Sequence, residues 1–121
     1  MMNLGIGVDI ISVARIKKAL KNKNFIGKLF TPQEVAYCRK RKNPEVYFAA
    51  RFAAKEAVKK ALAGKIKAVS WRDVEVLNNK DGSPKIDLNS SIRKKLKNQK
   101  ILITLSHTKE YAIAVAFLMK K

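Results

Sequence analysis

Three short stretches of this chain carry side chains able to do chemistry. Asp9 lies inside the apolar run Gly5-Ile6-Gly7-Val8-Asp9-Ile10-Ile11. A carboxylate among Ile6, Val8, Ile10 and Ile11 gives up hydration, which costs several kcal/mol unless a cation or a hydrogen-bond donor meets it. Downstream, Glu56 and Lys60 stand one helical turn apart and therefore on one helix face. A divalent metal shared by Asp9 and Glu56 would compensate both acids. The third stretch is Ser106-His107-Thr108, where a histidine between two hydroxyls suits a phosphate or a hydrogen-bonded turn. Each stretch also has an ordinary structural reading: Asp9 could cap the amides of the next helix, and Glu56 with Lys60 could form an i,i+4 ion pair.

These groups need elements to hold them. Residues 4–11 read as a buried strand, after which Ser12 caps a helix predicted to run to about Lys21. That helix turns Val13, Ile16 and Leu20 inward and leaves Arg15, Lys17, Lys18 and Lys21 largely outward. Residues 25–30 form a compact apolar stretch. Thr31-Pro32-Gln33-Glu34 is a capping box with proline at the first helical position, and its helix should stop near Arg41, before Asn43-Pro44. A long alanine-rich helix is predicted from about Glu45 to Leu62, with Phe48 and Phe52 on its inner face and Gly64 placed to end it. Residues 69–77 read as a strand, Asp81-Gly82 as a turn into a shorter strand around Lys85 to Asp87, and residues 89–98 as a short helix capped by Asn89 or Ser90. The segments 101–105 and 111–119 read as two strands, paired antiparallel across the five-residue connection Ser106 to Glu110. The predicted architecture is a single α+β domain with a mainly antiparallel sheet packed against a long helix.

Composition limits the functions this chain can have. A length of 121 residues with 47% hydrophobic content suits one core, burying roughly two thirds of the unfolded surface. Against 9 acidic residues stand 27 basic ones, a net charge of +18, so an anionic partner or substrate is expected. Cys38 is the only cysteine, which excludes an intramolecular disulfide and any set of cysteine metal ligands, and it reads as a small buried apolar residue. A reducing cytoplasm is the expected location. The N-terminal run carries Asp9 and no basic leader, unlike a signal peptide, and residues 111–119 are too few to span a bilayer as a helix. Nucleic-acid binding is the main alternative that the charge allows, but no basic-aromatic motif, zinc-finger spacing or clear helix-turn-helix arrangement supports it.

The joint order of motifs is more specific than any one of them. Gly7-Val8-Asp9 with Arg15-Ile16, then Arg51-Phe52-Ala53-Ala54-Lys55-Glu56-Ala57 with Lys60-Ala61, then Leu105-Ser106-His107-Thr108, resembles the small bacterial holo-[acyl-carrier-protein] synthases, a 4'-phosphopantetheinyl transferase family. The resemblance covers essentially the whole chain, including Thr31 to Glu34, Trp71 to Val76 and Lys80 to Pro84. One departure is Ala63-Gly64-Lys65, where the family usually places glycine directly after the Lys-Ala-apolar segment, so no glycine contact to coenzyme A is carried over there.

The resemblance implies transfer of the phosphopantetheine arm of coenzyme A to a serine of acyl carrier protein, releasing adenosine 3',5'-bisphosphate. Attack of an alcohol on a pyrophosphate phosphorus calls for a divalent cation and basic side chains more than for a protein nucleophile. Asp9 and Glu56 are hard oxygen ligands, and Mg²⁺ commonly uses one or two protein carboxylates. Lys60 would neutralise or protonate the leaving phosphate. Glu56 or a water held by the metal would take the serine proton. By resemblance, Arg51, Lys55, His107 and Thr108 contact the nucleotide and its phosphates, and Ser83 and Pro84 lie near the coenzyme. The family forms homotrimers with coenzyme A in clefts between protomers, and Tyr111 to Met119 could supply the central interface. The basic first helix, through Arg15 and Lys18, would receive the acidic carrier protein.

Overall fold

The computed structural model describes residues 4–121; Met1 to Asn3, part of the argument against a leader, lie outside the described residues. The chain runs β1 (Gly5–Ser12), α1 (Val13–Ala19), α2 (Lys23–Leu29), α3 (Pro32–Arg39), α4 (Pro44–Leu62), a 3-10 turn (Trp71–Asp73), β2 (Val74–Asn78), β3 (Pro84–Leu88), α5 (Ser90–Lys95), β4 (Gln99–His107) and β5 (Tyr111–Lys120). All strand pairs are antiparallel, but they form two sheets: β1-β5-β4, and the separate hairpin β2-β3. The strand expected over 69–77 begins only after the 3-10 turn. The apolar stretch at 25–30 belongs to α2, which Asn22 caps by accepting from Asn24 N. β4 extends through His107, which shortens its connection to β5 to Thr108–Glu110.

The caps anticipated from sequence set the helix entries. Ser12 accepts from Arg15 N, and Thr31 and Glu34 form the reciprocal capping box at α3. Asn89 accepts from Ile92 N at α5. Each satisfies amides that the first helical turn leaves without a partner.

Helix α4 forms the spine of the fold. Its alanines 49, 50, 53, 54, 57 and 61 are all buried, and so small a surface lets backbone come close. Strand β1 uses this to the limit: a Cβ at Gly7 would stand 1.9 Å from the Ala57 carbonyl oxygen, so only glycine fits there. From β5, Ala112, Ala114, Ala116 and Leu118 point into the same core. Two core clusters result, one around Leu62, Val74, Val76 and Leu118, the other around Phe30, Cys38 and Phe48. Cys38 is fully buried, and burial pushes its thiol up to about 12, which makes it inert.

Strand alternation places Gly5, Gly7, Asp9 and Ile11 on the α4 side of the three-stranded sheet. Leu4, Ile6, Val8 and Ile10 face the other way and are exposed, as are Tyr111, Ile113 and Phe117 on β5 and Leu102 on β4. No helix among the described residues is long and apolar enough to cross a membrane.

Candidate active site

The Gly7 contact brings β1 against the middle of α4, and Asp9 follows one pleat later on the same strand face. Helix packing, rather than its apolar sequence neighbours, shields this carboxylate: Ile6, Val8 and Ile10 point to the opposite side of the sheet. Lys60 reaches from α4 to Asp9, its Nζ standing 3.1 Å from Asp9 Oδ1 and donating to the Val8 carbonyl at 3.0 Å. It does not close the i,i+4 ion pair with Glu56; among the described residues Glu56 forms none. The second Asp9 oxygen, Oδ2, is buried without a hydrogen-bond partner. Burial raises the proton affinity of Glu56, Lys59 and Lys60 oppose this, and the nearby Asp9 charge reinforces it. Two partly desolvated carboxylates thus face one neighbourhood with an ammonium between the elements that carry them.

The other sequence-predicted residues divide into four groups. At the two hairpin ends, Ser83 and Pro84 follow the β2-β3 turn, where Ser83 donates from N and Oγ to Asp81 Oδ1 at 2.9 and 2.6 Å and holds that carboxyl below its usual range. Thr108 Oγ1 accepts from Glu110 N and Tyr111 N, both at 3.1 Å, and fixes the turn after His107, which is exposed.

Arg51 is buried. Its Nη2 donates to Asn78 Oδ1 at 2.6 Å, its guanidinium lies 3.9 Å from the Tyr37 ring centre, and its buried Nε has no partner. Asn78 in turn donates to Gly82 O in the β2-β3 turn, while Tyr37 contacts Tyr47 edge-on and Tyr47 contacts His107. Arg41 stacks on Tyr37 as well, at 4.2 Å. An arginine-tyrosine-histidine ladder therefore connects the two hairpin ends, and the sequence reading gave no site role to Tyr37, Tyr47 or Arg41.

Lys55 departs from expectation. Rather than facing a nucleotide, it is fully buried, paired with buried Glu34 at 2.8 Å and donating to the carbonyls of Trp71 and Val74 at 3.0 and 2.5 Å. Burial lowers its proton affinity, and Glu34 opposes that. No part of Lys55 is open to a ligand on the surface of the protomer. A signal for this was present: Phe48, Arg51, Lys55, Val58 and Leu62 recur at steps of three and four, the inward stripe of a helix. Arg15 stands on the rim of a pocket of about 150 Å³ that Ile16, Phe25 and Phe52 also line, and Lys18 is exposed on the same helix.

An α+β domain that sets two carboxylates and a lysine against one strand, and carries a ladder of arginine, tyrosine and histidine, has the groups that transfer from a phosphorylated substrate requires. The family model for the 4'-phosphopantetheinyl transferase superfamily matches residues 5–116, and the chain belongs to that superfamily, with the holo-[acyl-carrier-protein] synthases. It is 46% identical over 114 residues to the holo-[acyl-carrier-protein] synthase of Chlamydia felis, covering 92% of this chain and 93% of the relative. Its fold is similar to the crystal structure of the Neisseria meningitidis synthase, with a TM-score of 0.87, 30% identity and coverage of 99% and 100%. It is also similar to the Bacillus anthracis synthase in complex with CoA (3',5'-ADP), with a TM-score of 0.82, 34% identity and coverage of 100% and 99%.

Proposed function

We propose that this chain, as one domain over residues 1–121, transfers 4'-phosphopantetheine from coenzyme A to a serine of apo-acyl carrier protein, with Mg²⁺ as cofactor. The observation that carries this reading is the meeting of Asp9, Glu56 and Lys60, with Asp9 Oδ2 buried and unpartnered. A buried carboxylate oxygen without a donor fits a hard cation, and Asp9 with Glu56 would hold it. Mg²⁺ commonly takes only one or two protein carboxylates, with phosphate oxygens and water as its other ligands. When bound, Mg²⁺ offsets negative charge on the reacting pyrophosphate.

The chain's own residues do the rest. Lys60, already directed at Asp9, supplies positive charge to the leaving phosphate. Glu56, with its raised proton affinity, is suited to take the serine proton. Arg51, His107 and Thr108 bind the nucleotide end and Ser83 with Pro84 flank it; Lys55 acts from inside, by fixing α4 against Glu34. Arg15 and Lys18 on α1 receive the acidic carrier protein.

The active form is a homotrimer. Ile6, Val8, Ile10, Leu102, Ile113 and Phe117 leave an exposed apolar face on β1, β4 and β5, and two further copies of this chain cover it. The enzyme works in the cytoplasm, in fatty acid biosynthesis. Chromatography tests the reaction: adenosine 3',5'-bisphosphate should appear only when coenzyme A, Mg²⁺ and apo-carrier protein are all supplied, and its absence across several carriers would overturn the reading.

A further inference from the structure

We propose that Lys59, seated on the ring of Trp71, is a specificity-determining residue that receives the acidic acceptor protein; this rests on the transferase reading above. Two consecutive lysines follow Glu56 on α4 and they diverge. Lys60 turns to β1 and Asp9. Lys59 turns the other way, its Nζ 3.7 Å from the centre of the Trp71 ring, and among the described residues it forms no ion pair. An aromatic face holds an ammonium in place without neutralising it, so the charge stays available to a partner.

Trp71 is part of a strip. It stacks on Phe52 with centroids 5.2 Å apart and planes 26° apart, and Phe52 approaches Phe25 at 6.3 Å. Phe52 and Phe25 line the pocket that Arg15 borders, so a half-buried aromatic strip runs from Lys59 to Arg15 with a cation at each end. The acid beside this strip, Asp73, is already engaged: its Oδ2 accepts from Ser70 N at 2.9 Å and its Oδ1 from Asn89 Nδ2 at 2.7 Å. Arg72 adds a further cation, 3.5 Å from Gly27 O on α2. Lys59 also acts on Glu56 from the same helix, but it is not ion-paired there, and an apolar strip framed by positive charge is complementary to an acidic protein surface that presents apolar side chains.

The arrangement also fits the chemistry. In-line displacement at phosphorus brings the acceptor hydroxyl and the leaving group to opposite sides of the transferring group. Lys60 points to Asp9, and Lys59 to Trp71 and the strip that ends at Arg15, so Lys60 serves the leaving group and Lys59 the acceptor.

Steady-state kinetics at low salt, with each substrate varied in turn, decide the matter. Lys59→Gln should raise the KM for acyl carrier protein about fivefold, the scale of one exposed charge contact, while the KM for coenzyme A stays within about twofold. Lys59→Arg should restore the carrier KM. Trp71→Phe, which keeps a ring under the ammonium, should resemble wild type, and Trp71→Leu should resemble Lys59→Gln. The salt dependence of carrier kcat/KM should become shallower in Lys59→Gln. An unchanged carrier KM in Lys59→Gln, or a coenzyme A KM that rises as much, would overturn the proposal. If Arg15→Glu raises the carrier KM and Lys59→Gln does not, this inference fails and the transferase reading stands; a wild type that transfers nothing removes both.

Discussion

The Glu56 carboxylate is held partly out of water beside Asp9, and burial raises its proton affinity although Lys59 and Lys60 oppose it. Its folded value therefore lies above its ordinary value of 4.5, and the native state binds the proton more tightly than the unfolded chain. The stability tied to this group is present below the unfolded value and is lost as pH rises through the folded value. Glu56→Gln, uncharged at every pH, should melt higher than wild type at neutral pH without metal, and the gain should vanish in acid. The same variant, and Asp9→Ala, should lose transfer by about a hundredfold or more, the scale of removing one preorganised contact to a charged transition state. Thermal melts across pH together with turnover check both halves; a variant that melts lower at neutral pH would contradict the desolvation account. Asp9 stood out in the sequence as an acid in an apolar run, and Glu56 by standing one helical turn from Lys60 within the Arg51 to Ala57 motif. The inward helical spacing of Lys55 was visible in the sequence, but its pairing was not, because its partner Glu34 lies in another helix and already had a complete explanation as a capping residue.

Elements were legible where local signals were strong. The capping box at Thr31, the Asn43-Pro44 stop after α3 and the Asp81-Gly82 turn each fix backbone within a few residues, and the helices and hairpin they imply are present, with Pro44 itself opening α4. The division into two sheets was not legible, since strand neighbours depend on contacts distant in sequence. Nor was the close approach of β1 to α4, although Gly5 and Gly7 two residues apart on one face are its trace. Gly7→Ala sets a methyl 1.9 Å from a carbonyl oxygen of α4, backbone that cannot step aside. It should cost about 3 kcal/mol and shift Asp9 away from Glu56, so urea denaturation and turnover should both show losses. Lys55→Met leaves Glu34 buried and unpaired and should cost about 3–5 kcal/mol. Adding Glu34→Gln removes the stranded charge but keeps an acceptor for only one of Thr31 N and Val76 N, which bond to different oxygens, so the double variant should recover part of that loss. No recovery would show that the pair matters for shape and not for charge.

For the whole molecule, the sheet has two differently used faces. Alanines and glycines meet α4, while Ile6 and Phe117, directly opposite each other across β1 and β5, face outward. Sequence alternation contained this pattern, but in a strand read as buried on both sides the outward set merges with the core. Phe117→Asp leaves the α4 face untouched and puts a charge on the outer one. Light scattering at micromolar concentration should report a trimer for wild type and a monomer for this variant; equal masses would remove that face from the assembly. The net charge of +18 was the most visible property of the sequence, and it identified an anionic partner without saying which one.

Intact-protein mass spectrometry of apo-acyl carrier protein after incubation with this protein, coenzyme A and Mg²⁺ tests the central claim most directly. The carrier should gain the mass of one phosphopantetheine on a single serine with wild type, and show little or no gain over the same time with Asp9→Ala. A wild type that leaves every carrier tested at its apo mass, or an Asp9→Ala protein that converts it as fast as wild type, would contradict the account.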